Sequence, residues 1–580
     1  MQYRPPIRDI RFIIEKVLKA PELWAVCPAF ADFDMSLVGQ LIDEAGRFAE
    51  ELLAPTNAAG DREGCRLVDG NVQTPTGFAS AYREFVAAGW PTLGCAQEHG
   101  GQGLPQLVQT AIYEMLLSAN HAWSMYPGLL KGAYDVIAAH GSDALRQHYL
   151  PRLVSGEWLA AMALTEPQAG SDLAQVKTKA RPQPDGSYEL DGSKVFISGG
   201  DHDLTDNIVH LVVCRVNGAP EGIKGLSLML VPKLLPDGGR NGICCEALEE
   251  KMGIHGSATC SIRYEAAKGW LIGEPDQGMA AMFIMMNSAR LHVAMHGLGH
   301  LEYARQTALR YAAARRQRNA PGRQSKAAGG DPIACHPAIR RMLMTIQART
   351  DAVRVLAYQT AMILDEARHG PVSVRDEAAA RVAIFTPIVK TLLTEFAFQG
   401  TSDALQVLGG YGYVREYGIE QHLRDSRIAM ICEGTNEIQA IDLVQRKVLR
   451  DNGSALNALL ESVLEDVKAC PEGLAGIAYA VRRQVANAYL ATTTIIARAK
   501  ADAEYPYRVA DDYLRALGYV LLSWAWLRLA RAAGEEADLA YGREKMGMVE
   551  FALDWLLPDS VAHWERVMND QARLPEAPMA

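Results

Sequence analysis

No apolar run in the 580 residues approaches the ~20 needed to cross a bilayer. The one apolar segment in the opening MQYRPPIRDIRFIIEKVLKAPELW is broken by charges, so neither a membrane span nor a secretory signal is expected. The ten cysteines form no CxxC pair and two of them, Cys244 and Cys245, are adjacent, which argues against a disulfide framework or a zinc ribbon. They read as reduced thiols in a cytoplasmic setting. No GxGxxG follows a strand, which leaves a Rossmann-type nucleotide site without support. A net charge of −10 disfavours unspecific attraction to nucleic acid or anionic lipid. Residues 451–580 carry 19 acidic against 13 basic side chains, a net of −6, so that region lacks the basic footprint of a nucleic-acid binder.

What the chain does have is the composition of a globular protein, 49% hydrophobic and 22% charged, at a length that exceeds one hydrophobic core. After an N-terminal extension, 1–35, apolar residues recur three or four apart through SLVGQLIDEAGRFAEELLAP, FASAYREFVAAGW and QLVQTAIYEMLLSANHAW, predicting a helical domain over 36–158. GGQGLP, 100–105, interrupts it as a loop. The period then changes. YELDGSKVFIS reads as two strand-like runs about Asp191-Gly192, and NIVHLVVCRV and GLSLMLVPKL are rich in branched residues, predicting a β domain over 159–275. Helices return over 276–450 as a four-helix bundle, with Leu291, Met295, Leu298, Leu301, Ala308 and Tyr311 as an apolar stripe. DNGS, 451–454, reads as a linker to a further helical domain, 451–580.

Three segments carry chemistry. TEPQAGSD, 165–172, gathers small and hydroxyl-bearing residues where the chain turns, a pattern equally compatible with a structural turn. In KVFISGG, Phe196 and Ser198 share one face of a strand, an arrangement suited to stacking on and hydrogen-bonding a flat heteroaromatic ring; a core phenylalanine is the plainer reading. In ICEGTNEIQ, 431–439, the carboxylate of Glu433 stands between an apolar approach and a helix that starts at about Thr435, which can cap it, with Ile438, Ile441, Val444 and Val448 facing inward. A general base and a charge complementing the helix end explain Glu433 about equally when it is taken alone.

In order, TEPQAGSD, DGSKVFISGG, EEKMGIHGSATC, the helix after Arg290, ALQVLGGYGY, LRDSRI and CEGTNEIQ resemble the acyl-CoA dehydrogenase family from about residue 40 to 450. The opening PPIRDIRFIIEKVL, the form KMGIHGSATC and the C-terminal extension are most similar to the subgroup named for 3-methylmercaptopropionyl-CoA dehydrogenase. The resemblance implies a helical N-terminal domain, a β-barrel and a four-helix bundle, with an added C-terminal helical domain. It implies FAD, with Thr165 and Ser198 hydrogen-bonding the flavin and Phe196, where the family more often has tryptophan, packing on it. It implies that Ser171 touches the thioester ligand. Arg315, Gln406, Gly409 and Gly410 would hold the FAD of a partner subunit, and Thr435 and Glu437 the subunit's own. Glu433 would be the base that takes the α proton of an acyl-CoA, supported by Arg290. Ala289 stands where some members carry the base instead, so no carboxylate competes. A homodimer, with electron-transferring flavoprotein as electron acceptor, follows from the same resemblance. An acyl-CoA oxidase and, with much less support, a DNA-associated flavoprotein are the alternatives.

Overall fold

The computed structural model describes residues 3–323 and 329–569; part of the expected loop QRNAPGRQSKAAGGDP and the end of the C-terminal region lie outside them.

The region expected to be helical contains one β-hairpin, β1 (Arg66–Val68) paired antiparallel with β2 (Asn71–Gln73). Asp69 and Gly70 make its turn at φ 50° and 73°, the backbone that lets a two-residue turn follow the right-handed strand twist. This Asp-Gly pair was the local signal that helical periodicity on either side hid. Around the hairpin the helices form as expected, among them α1 (Gln106–Ala119), whose first two N–H groups donate to the carboxylate of Asp365 at 2.7 and 3.0 Å.

Seven strands follow: β3 (Leu159–Ala163), β4 (Lys179–Pro182), β5 (Tyr188–Ser198), β6 (Ile208–Val216), β7 (Ser227–Pro232), β8 (Ile243–Leu248) and β9 (Thr259–Ile272). β6, β4, β5, β9 and β7 pair in turn, and β7 returns to β6, so the sheet closes on itself with β3 added to β6 and β8 to β9. Closure removes the exposed edges that would recruit other strands. One expectation is corrected: the two strand-like runs about Asp191-Gly192 are a single strand, β5. Its pairing with β9 slips between Leu190 and Gly192, a bulge at a position where a side chain would meet Thr178 Oγ1 at 2.5 Å.

The bundle is built from α2 (Gly278–Ala314), α3 (Pro337–His369) and α4 (Val372–Leu408), with a short fourth member after α5 (Ile419–Ser426) in α6 (Asn436–Asp442), which runs on as the π-helical Leu443–Val448. Of the expected stripe on α2, Tyr311 is half-buried and the other five residues are buried. The segment Val372–Tyr413 is, by length and composition, apolar enough to cross a membrane, but 78% of its most apolar stretch is buried inside the protein, as a core helix requires. Helices α2 and α4 approach so closely at Gly297 that a Cβ there would lie 2.4 Å from the carbonyl oxygen of Leu393. Gly→Ala inside a helix ordinarily stabilises by about 1 kcal/mol. Here overpacking of about 1–3 kcal/mol opposes it, so Gly297→Ala is expected to lower the midpoint of chemical denaturation rather than raise it.

The C-terminal helices α7 (Tyr505–Gly534) and α8 (Leu539–Trp555) pack on the bundle. Lys545 of α8 places its ammonium 2.8 Å from Asp9 in the N-terminal helix Ile7–Phe12 and 2.9 Å from Asp351 of α3. Tyr541 donates to Asp9 at 2.6 Å. The two terminal regions are therefore bound to the bundle through one buried cluster of charges.

Candidate active site

Glu433 sits where the chain leaves the 3-10 turn Arg427–Met430 and enters α6. Thr435 caps α6, its hydroxyl accepting from Ile438 N at 3.3 Å. Val444 and Val448 are buried as expected, whereas Ile438 and Ile441 are only half-buried. Glu433 itself adopts φ 57° and is followed by Gly434 at φ 84°. Two consecutive left-handed residues turn the carboxylate out of the helix line, a conformation an L side chain occupies only when its surroundings impose it. Gln439 Nε2 donates to the Glu433 carbonyl at 3.1 Å, and Lys390 Nζ donates to the Gly434 carbonyl at 2.9 Å and to Asn436 Oδ1 at 2.8 Å.

The side chain of Glu433 is half-buried. Burial pushes its carboxyl up to about 7, against the pull of two cations, Arg290 and Lys390, that favour the charged form. Burial likewise brings the Lys390 ammonium down to about 8, against the carboxylates and the thiol around it. Arg290 is buried on α2, with Nη1 3.5 Å from Asp442 Oδ2 and no hydrogen-bond partner at Nε. Cys432 beside the base has its thiol pushed up to about 12 by burial, so it stays neutral. The result is a carboxylate that titrates near neutrality in a setting able to bear its charge.

On the barrel, Thr165 and Ser198 are half-buried, and the Thr165 carbonyl accepts from Val195 N at 3.0 Å, which draws the TEPQAGSD turn against the end of β5. Phe196 leaves 63% of its surface exposed and adopts φ 60° at a second slip in the β5–β9 pairing, between Lys194 and Ile197. A large aromatic is thus held outward in a rarely used conformation, with its ring face open to solvent. Ser171 is exposed on the turn after β3. Glu437 is exposed in the first turn of α6.

A separate cavity of about 450 Å³ lies at the end of α2 and α4. Arg315, Gly409 and Gly410 line it, together with Tyr311, Gln317 and Tyr411. The Arg315 guanidinium stands 5.7 Å from the Tyr411 ring centre, and nothing lies within 4 Å of a Cβ placed at either glycine. Gln406, expected here, is exposed on the last turn of α4 but does not line the cavity, whereas Gln317 does.

The reading of the sequence missed Lys390 and Asp442. Lys390 is the lone charge in the apolar run FTPIVKTLLT, 385–394, a pattern that marks a buried ion with a partner. Asp442 lies one helical turn past Ile438, where a solvated carboxylate is the usual reading.

An inserted closed barrel between helical regions, with a carboxylate at the entry to the short fourth helix of the bundle, defines a protein of the acyl-CoA dehydrogenase class. Family models for the acyl-CoA dehydrogenase N-terminal, middle and C-terminal domains match residues 39–157, 161–267 and 276–449, and an acetyl-CoA dehydrogenase C-terminal-like model matches 457–578. The chain is 41% identical over 552 residues to 3-methylmercaptopropionyl-CoA dehydrogenase of Ruegeria pomeroyi, covering 93% of both chains. It is 35% identical to the broad-specificity linear acyl-CoA dehydrogenase FadE5 of Mycobacterium tuberculosis, over 84% of this chain and 86% of the relative. In fold it is similar to the Bacillus anthracis acyl-CoA dehydrogenase crystallised with FAD, at a TM-score of 0.75 and 22% identity over 92% and 88% of the two chains. The chain belongs to the acyl-CoA dehydrogenase family, FAD-dependent enzymes that dehydrogenate acyl-CoA thioesters.

Proposed function

We propose that Glu433 removes the α proton of a bound acyl-CoA. The observation that carries this is its carboxyl, raised by burial to about 7 on a left-handed turn between Arg290 and Lys390. A base that titrates near the working pH combines a populated charged form with useful proton affinity. Arg290 and Lys390 keep the carboxylate form accessible despite its burial. The backbone N–H of Glu433 serves as a donor to the thioester oxygen, where negative charge develops as the proton leaves.

FAD supplies the acceptor for the β hydride. The residues present suit it: the exposed ring of Phe196 offers a stacking surface, and Thr165 and Ser198 offer hydroxyls beside it. The open cavity about Arg315, Gly409 and Gly410 suits the diphosphate and adenosine half of a partner subunit's FAD, since a guanidinium fork matches a diphosphate and bare glycines admit a close approach. Gln406 is the weakest member of that set. Thr435 and Glu437 belong to the subunit's own FAD side, and Ser171 to the thioester ligand. A site shared in this way makes the protein a homodimer, with electron-transferring flavoprotein as acceptor. The names borne by the Ruegeria and Mycobacterium relatives support 3-methylmercaptopropionyl-CoA or a short to medium fatty acyl-CoA as substrate. Ten free cysteines support a cytoplasmic location.

The test is anaerobic bleaching of the bound flavin across a panel of thioesters, followed against pH. Glu433 accepts a proton only when ionised, so the bleaching rate of the free enzyme at low substrate is expected to rise with pH through about 7 and level off above it. A rate independent of pH between 5 and 9 would exclude Glu433. Peroxide formed without another acceptor would move the assignment to an acyl-CoA oxidase.

A further inference from the structure

Four side chains connect helix α7 of the C-terminal region to the turn that carries Glu433. Arg515 on α7 grips Glu395 of α4 at two points, Nη2 to Oε1 at 2.7 Å and Nε to Oε2 at 3.1 Å. Glu395 Oε1 accepts from Asn436 Nδ2 at 3.4 Å, and Asn436 Oδ1 accepts from Lys390 Nζ at 2.8 Å. Lys390 then donates its second bond, at 2.9 Å, to the carbonyl of Gly434. Glu395, Asn436 and Lys390 leave 6%, 1% and 0% of their surfaces exposed, so water cannot stand in for a lost partner.

The far end of this series is where the backbone most needs holding, because Glu433 and Gly434 are both left-handed. Thr394 reinforces the middle of it, its hydroxyl lying 3.3 Å from Asn436 Oδ1. Arg515 is the one member contributed by the region that follows the four-helix bundle. Its other carboxylate partner, Asp511, is on its own helix and leads nowhere near the turn.

We propose that the C-terminal helical region positions the base: Arg515, through Glu395, Asn436 and Lys390, fixes the Glu433-Gly434 turn, and Arg515 is a positioning residue for the dehydrogenation. The proposal rests on the reading of Glu433 as the base. Releasing Arg515 frees Glu395 to turn, loosens Asn436 and Lys390, and lets the turn sample right-handed conformations that aim the carboxylate elsewhere. None of the four is among the residues assigned above to the thioester ligand or to FAD, so binding is expected to be spared while proton removal is not.

The test uses the full-length, flavin-loaded protein in rapid-mixing anaerobic bleaching, recording the limiting rate and the half-saturating acyl-CoA concentration. Arg515→Met is expected to lower the limiting rate about tenfold or more, in line with the cost of a misplaced reacting group. The half-saturating concentration is expected to stay unchanged, and Arg515→Lys to recover part of the rate by restoring one charged contact. Glu395→Gln, nearly isosteric, carries the test should Arg515→Met fail to fold; it keeps one acceptor and loses the other, so a smaller loss of rate at unchanged half-saturation is expected of it. Wild-type limiting rates in Arg515→Met or Glu395→Gln would overturn the proposal. So would losses of rate and affinity together that Arg515→Lys does not relieve. Glu433→Gln in the same assay separates the two claims: full bleaching there defeats the base assignment, whereas an inactive Glu433→Gln beside a fully active Arg515→Met defeats only the positioning role.

Discussion

Glu433→Gln protein, purified with its flavin bound, is expected to lose acyl-CoA-driven bleaching by on the order of a thousandfold, the middle of the range for removing a positioned general base. Glutamine keeps the shape of the side chain and its hydrogen-bonding oxygen, but it cannot take a proton. The turn should survive the change, since it is held by bonds to the backbone carbonyls of residues 433 and 434, from Gln439 and Lys390, and not by the carboxylate. Affinity for acyl-CoA should change little, which the flavin's spectral perturbation on titration with substrate would measure. Loss of the flavin together with loss of activity would instead assign Glu433 a structural part.

The second large effect is on stability. Arg354 of α3 has no exposed side-chain surface and donates to Glu114 of α1 at 2.7, 2.8 and 3.1 Å and to Glu302 of α2 at 2.7 Å. Tyr358 donates to the other side of Glu114 at 2.6 Å, and Arg305 takes the rest of Glu302 at 2.8 and 2.9 Å. Arg354→Met keeps the volume and removes the charge, leaving the buried Glu114 carboxylate with only the Tyr358 hydroxyl and Glu302 with only Arg305 and Gln306. Breaking a buried pair from one side in this way costs about 3–5 kcal/mol. A drop of that size should appear in the unfolding transition. Glu114→Gln, which keeps one acceptor for Arg354, should cost less. Equal stability for wild type and Arg354→Met would show that the cluster fixes the arrangement of the helices without stabilising it.

Much of this architecture was legible beforehand, for identifiable reasons. Helical periods and branched runs announce the bundle and the barrel because each element buries one face. Glu433 was legible from the ordered motifs around it, since a carboxylate at a helix start is, taken alone, equally well explained as a charge complementing the helix end. Its left-handed backbone was not, because the residues that impose it, Lys390 and Gln439, are 43 and 6 positions away and do not betray their direction. The same holds for Phe196: alternation placed it beside Ser198 on one face, but the slip against β9 that turns its backbone depends on a strand that begins at Thr259, far along the chain. Asp69-Gly70 was an audible turn signal drowned by the helices around it. Gln406 was carried over from a motif, and the exposed final turn of α4 leaves it outside the cavity that Gly409 and Gly410 reach.

The direct measurement is exchange of the α hydrogens of 3,3-dimethylbutyryl-CoA in D2O, followed by NMR. Its quaternary β carbon has no hydride to give, so the ligand reports proton removal alone. Wild-type protein should wash deuterium into the α carbon, and Glu433→Gln should leave it protiated. Exchange at the wild-type rate by Glu433→Gln would contradict the account.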